Sequence, residues 1–188
     1  MFLMPWPLVE PTAVAKACRL LGWEGVVTGP VDFGGVQFWA SAQLDADERR
    51  RRDAAGSGAV CDRRALELEL ASFRSDALNA TNICGLRPPL RLTGCLVAGL
   101  SPRTAVRDAS MLAGYAPRAV LVPDDEDILG LLADAALLDQ GVVLYGAADV
   151  NVLAHAGPRV AGGGFDAREW ELLERVYDAV LTDALVVL

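Results

Sequence analysis

The most constraining stretch of this sequence runs from Leu92 to Tyr145, where short apolar runs alternate with amphipathic segments. Leu92 to Leu100, Ala119 to Val122 and Gly141 to Tyr145 have strand length; Pro102 to Tyr115 and Asp124 to Leu138 have helix length between them. Ser101 stands at an N-cap position and Pro102 at a first helical position, where its missing N–H costs nothing. Acidic residues open the second helix, against the positive end of its dipole. Strand and helix alternating through short turns imply an α/β fold with parallel neighbours and right-handed crossovers.

The flanks are less regular. Val14, Ala17, Cys18 and Leu21 share one face of a helix from Pro11 to Leu21, which Gly22 ends. Two short strands follow, Gly25 to Thr28 and Val36 to Ala40, joined by the turn-rich Gly29 to Gly35. Ser41 to Asp62 is polar and reads as a solvated helix and a loop, with Asp45, Asp47 and Glu48 partly neutralising the block Arg49-Arg50-Arg51-Arg52. Ala65 to Ala71 alternates with period two, which suggests a strand, although Ala, Leu and Glu also favour helix. A polar helix is expected near Ser75 to Cys84, and Val150 to Ala154 reads as a further strand. Asp166 then caps a last helix whose Trp170, Leu173, Tyr177, Val180 and Leu181 form an apolar stripe. The end, Ala184 to Leu188, is apolar enough to pack on the sheet or face a partner chain.

With 188 residues, 53% hydrophobic and 22% charged, the chain is long enough to bury a core without disulfides or a structural metal. No apolar run has the roughly 18 residues needed to cross a bilayer. The start, Met1 to Pro7, lacks a basic n-region, so no signal peptide is expected and the location is expected to be cytoplasmic. A net charge of −8 opposes loose attraction to DNA or to an anionic membrane. Lys16 is the only lysine. Cys18, Cys61, Cys84 and Cys95 form no CxxC pair and read as reduced thiols, and His155 as the only histidine gives zinc little to bind. Gly162-Gly163-Gly164 before a helix lacks both GxGxxG and a Walker lysine, and no GxSxG elbow exists for a hydrolase.

One resemblance covers residues 14–132. Ala13 to Trp23, ending in Leu21-Gly22-Trp23, is similar to the opening helix of the Mrr-type restriction endonucleases, a branch of the PD-(D/E)XK nucleases. Val26 to Pro30, running into Asp32-Phe33-Gly34-Gly35-Val36-Gln37-Phe38, resembles the family's Asp-Gly-Gly-Ile/Val-Asp stretch. Leu68 to Ser75 resembles its Gln/Glu-x-Lys strand, Gly94 to Leu100 its next strand before an Ala-rich helix, and Ala119 to Leu132 the strand and helix after that. The resemblance implies a restriction-endonuclease-like central mixed sheet flanked by helices in residues 1–140, with residues 141–188 as a C-terminal extension packed on that domain or forming an interface. The segment between Trp39 and Glu67 is longer than the family would have it.

The resemblance also implies a magnesium site, and there the residues depart from it. Gln37 stands at the metal-binding Asp, and Ala71 at the lysine; Glu69 keeps the Glu/Gln position. A neutral amide is a poor sole ligand for a hard dication, and alanine carries no charge to developing phosphate. Such a chain is expected to be a degenerate nuclease acting as a binding or assembly module in bacterial DNA processing or defence. It would need no cofactor, and would form a homo-oligomer or hold a protein partner through the C-terminal helix. The alternative is an active endonuclease using magnesium or manganese, with Asp32, Glu67 and Glu69 as a rebuilt carboxylate site. Arg49, Arg50, Arg51, Arg52 and Arg74 are the candidate nucleic-acid contacts, Arg74 replacing the lysine only as a charge. A third reading is a Rossmann-like binder of a small molecule at Ser101 and the Gly162 loop.

Overall fold

The computed structural model describes residues 9–76, 87–99, 101–124, 128–146, 149–159, 165–182 and 186–187, with side chains outside the description at 72–76 and 186–187. The elements in chain order are α1 (Pro11–Leu20), β1 (Val26–Phe33), β2 (Val36–Leu44), α2 (Ala46–Ala55), α3 (Arg63–Asp76), β3 (Leu90–Ala98), α4 (Pro102–Ser110), β4 (Arg118–Pro123), α5 (Ile128–Leu137), β5 (Gly141–Tyr145), β6 (Val150–Ala154), α6 (Ala167–Thr182) and β7 (Val186–Val187). One seven-stranded sheet has the order β6-β5-β4-β3-β2-β1-β7. Only β3, β4 and β5 run parallel; β1–β2, β2–β3, β5–β6 and β1–β7 are antiparallel. The sheet is therefore mixed, as the resemblance implies.

Local sequence explains the frame. Phe33 pairs with Val36, which leaves Gly34 and Gly35 as a two-residue hairpin loop. Both have positive φ, 64° and 81°, the backbone a type I′ turn demands. The stretch expected as one long turn is otherwise strand: β1 continues to Phe33 past an irregularity between Thr28 and Val31. Gly94 sits in β3 under Trp23, whose ring lies 2.0 Å from where a Cβ would stand, so only glycine lets α1's end close over the sheet. Asp45 and Asp166 cap α2 and α6, accepting from the N–H groups of Glu48 at 2.9 Å and Glu169 at 2.7 Å. Ser101 precedes α4 as expected, but its side chain makes no cap hydrogen bond.

The two sheet faces are covered unequally. On one, Val14, Ala17 and Cys18 of α1, with Leu21 just after it, pack with Trp23, Val27, Trp39, Leu96 and Leu121. On the other, α4, α5 and α6 bury Phe33, Phe38, Val97, Val120 and Val142. The described elements after Gly141 are thus integral to this body: β5 and β6 extend the sheet, and α6 packs along β1 and β3.

Residues 46–76 correct two expectations. Ala65 to Ala71 is helix α3, where Leu66 reaches Trp170 and Ala167 of α6, and Leu70 packs beside them. The period-two alternation was decided by tertiary packing on α6 together with the helix propensity of Ala, Leu and Glu. Arg52 of α2 is the second correction. Its side chain is completely buried, so it cannot contact nucleic acid. All five of its N–H donors are used: Nε to Glu48 at 2.8 Å, Nη1 to Glu174 at 2.7 Å and to the Gly58 carbonyl at 3.4 Å, Nη2 to Glu174 at 2.7 Å and to the Arg87 carbonyl at 2.8 Å. The plane also lies 5.3 Å from the Tyr177 ring centre. Glu174 accepts as well from Trp170 Nε1 at 3.0 Å and the Val60 N–H at 2.9 Å.

This leaves α6 covered on both sides. Leu172, Leu173, Val176 and Tyr177 join the sheet-side core, while Glu171 and Glu174 meet Arg63 of α3 and Arg52 of α2. Ten of its 16 residues are buried. The stripe expected to hold a partner is accordingly spent inside the chain, with Trp170, Tyr177 and Val180 buried and only Leu181 half-exposed at 44%.

Removing one member of a buried ion network strands the others without solvent, which typically costs about 3–5 kcal/mol. Arg52→Ala is expected to lose that much in urea unfolding, against a whole-domain stability of roughly 5–15 kcal/mol. Glu48 adds a pH signature. Burial pushes its carboxyl up, but hydrogen bonds from Arg51, Arg52 and the Arg87 N–H prevail and hold it at about 2, below the ordinary 4.5. A lowered carboxylate stabilises the fold above its unfolded value and loses that contribution as pH falls towards the folded one. Roughly 3 kcal/mol should disappear between pH 4.5 and 2, and Glu48→Gln should flatten that slope in acid-unfolding curves.

Candidate functional site

Asp32 and Gln37 face each other across the β1–β2 hairpin, and both side chains are exposed. Their strand neighbours Val31, Phe33, Val36 and Phe38 belong to the core on the α6 side, and Asp32 itself borders a surface groove with Arg175, Asp178 and Thr182 of α6. Glu67 and Glu69 lie on α3, which packs on α6. Two residues apart on a helix, they diverge: Glu67 is exposed, while Glu69 is buried at 6%. Asp32, Glu67 and Glu69 are therefore not brought together. Among the described residues no group of three His, Cys, Asp or Glu side chains could hold a metal ion.

The strand carrying Glu-x-Lys is absent from its expected place. Ala71 is an exposed helical residue, not a strand neighbour of Glu69. The strand that follows β1 and β2 in the antiparallel meander is β3, LRLTGCLVA, which contains neither a carboxylate nor a lysine. Along β1, β2 and β3 the only acidic residue is Asp32. Its one polar register partner is the amide of Gln37.

The arginine block is neutralised where it stands. Asp45, Asp47, Glu48 and Asp53 match Arg49 to Arg52 one for one in number. Arg50 pairs with Asp47, Arg51 makes two bonds to Glu48 at 2.7 and 2.8 Å, and Arg49 lies 3.9 Å from Asp53. Arg49 and Arg50 remain solvent-exposed, but over a locally neutral surface a phosphate backbone gains little. Arg74 falls on α3, and its side chain lies outside the described residues.

Other polar side chains tie elements together. Arg118, only 5% exposed, donates to the Leu138 carbonyl at 2.5 Å just after α5, and burial lowers its pKa. Gln140 bonds the Val106 carbonyl at 3.0 Å and Ser110 Oγ at 2.9 Å, tying α4 to the start of β5. A cleft of about 500 Å³ beside α6 is lined by Leu90, Arg91, Tyr115, Phe165 and Arg159, but Arg159 is engaged with Glu169 at 2.8 Å. A second groove, about 470 Å³, lies between α4 and α5 and includes Ser101, Arg103 and Asp134. His155 is exposed just after β6. Gly162 to Gly164 and Cys84 lie outside the described residues. Among the described residues, no helix is long and apolar enough to cross a membrane.

With this geometry in hand, comparison with protein-family models, with curated proteins and with solved structures returns no significant match. The α/β architecture, a mixed sheet flanked by helices, stands on the coordinates alone.

Burial pushes the thiols of Cys18 and Cys95 up to about 12, so neither ionises near neutral pH. Cys61, half-buried beside α6, is raised as well, first by burial and then by the charge of Asp178. Native protein at pH 8 is expected to leave Cys18 and Cys95 unmodified by iodoacetamide while Cys61 labels slowly. Peptide mapping before and after denaturation checks it, and fast native labelling of Cys95 would contradict the packing described.

Proposed function

We propose that this chain is a degenerate nuclease-fold protein, a binding and assembly module of DNA processing or defence that does not cut. One observation carries the reading: Asp32 is paired in register with the neutral Gln37, Glu67 and Glu69 stand on a separate helix, and among the described residues no three such side chains converge on a metal position. Metal-assisted phosphodiester hydrolysis needs carboxylates converging on one or two dications, and a cation to meet charge on the phosphate. Each such element is commonly worth about 3 kcal/mol of barrier, so losing two costs on the order of 10⁴ in rate. The neutralised arginine block supports a protein partner over DNA as the main contact.

The test is a cleavage assay on supercoiled and linear DNA in magnesium and in manganese, with Asp32→Ala and Glu69→Ala purified in parallel. All three proteins are expected to leave the DNA intact to the same background. Cleavage by the wild type that either substitution abolishes would overturn the proposal and restore a rebuilt carboxylate site.

A further inference from the structure

We infer that a second copy of this chain docks on the outer face of α5 and the groove between α5 and α4. The inference deepens the assembly reading above and rests on it. Helix α5, ILGLLADAAL, is apolar nearly all round, with Asp134 its single charge. Only Leu131 and Ala135 are buried against the sheet, while Leu129 is 80% and Leu137 83% exposed. A helix apolar on every side is normally covered on every side. Leucines left this bare two turns apart mark a surface that is completed by something else.

The groove's charges indicate what completes it. Arg103 on α4 and Asp134 on α5 both line it, and neither has an ion-pair partner among the described residues. One cation and one anion on a single patch are complementary to a copy of that same patch turned by a two-fold axis. An axis crossing α5 near Ala133 runs the two α5 helices antiparallel. Leu129 then meets the second copy's Leu137, and Asp134 meets the second copy's Arg103. Gly130 and Ala133, both exposed at the crossing, leave room for the backbones to approach.

Size sets how far the contact must extend. A stable interface covers about 800 Å² per partner. Helix α5 has 10 residues, about 15 Å of length, so it cannot supply this alone. The apolar surface continues at its C-terminal end through Leu138, 39% exposed, and Met111 beyond α4, 54% exposed. Arg107 of α4 is engaged with Asp108 at 2.9 Å and belongs to the rim.

The experiment is sedimentation equilibrium across the micromolar range on the full chain and four variants: Leu129→Gln with Leu137→Gln, Arg103→Asp, Asp134→Arg, and the last two combined. All the substituted side chains are exposed, and thermal melts confirm that each variant folds. The wild type is expected to be a dimer that dissociates on dilution. The glutamine pair and each single charge reversal should weaken it at least tenfold, and the combined reversal should recover most of the loss, as only a self-complementary pair can. A wild type that is monomeric throughout overturns the inference. So does a dimer that none of these variants weakens, which would place assembly on another surface. Metal-dependent cleavage in the assay above would remove the non-cutting reading and leave this result untouched, so the two failures are distinguishable.

Discussion

The fold turns on one buried guanidinium. Arg52 joins its own helix, through Glu48, to two parts of the chain remote in sequence: the Arg87 carbonyl ahead of β3 and Glu174 on α6. Charges this deep are costly to desolvate, and a buried ion pair is weak evidence of net stability compared with well-packed leucines. Its value lies in specification. With five donors and acceptors mutually satisfied, only one seating of the α2–α3 segment on α6 avoids leaving a charge unpaired. Apolar packing through Leu66 and Trp170 would tolerate several seatings; the fork of Arg52 tolerates one.

That seating explains two parts of the sequence that the resemblance left over. The long segment between Trp39 and Glu67 and the C-terminal extension complete each other. Helix α6 carries a sheet-facing apolar stripe and, on its other side, glutamates that would be strange in a core. Those glutamates are the counter-charges of Arg52, Arg63 and Arg159. Helix α3 and the buried Arg52 of α2 thus cover α6, and α6 covers the sheet face at β1 and β3. The α2–α3 segment thus adds a further layer outside α6, over a sheet already covered by helices on both faces.

The sequence was most legible where a single local rule decides. The strand–helix alternation from Leu92 to Tyr145, the Asp166 cap and the Pro102 start each follow from propensity or backbone geometry, and each is present. It was least legible where a distant partner decides. Ala65 to Ala71 satisfies both a period-two strand and a helix former's composition, and only α6 selects between them. The arginine run read as a charged surface because one-dimensional charge counting cannot see that position 52 turns inward while 49 and 50 do not. A hint existed: Glu48 and Arg52 are four apart on a helix, and Trp170 and Glu174 likewise, a spacing that marks faces. The candidate carboxylates were misjoined for the same reason, since placing Glu69 on a strand set it beside Gln37 when it stands on a helix packed on α6.

The distribution of charge departs from what the resemblance implies. A nuclease concentrates carboxylates at a metal and cations along a phosphate track. Here the two signs are spent against each other: Arg50 on Asp47, Arg51 and Arg52 on Glu48, Arg63 and Arg175 on Glu171. The chain as a whole keeps a net charge of −8, which opposes loose attraction to a polyanion. Interfaces between proteins need no such excess; they need apolar surface with a few unspent charges at the rim. On the face formed by α4 and α5, with its bare leucines and with Arg103 and Asp134 unpaired among the described residues, those are the resources left over.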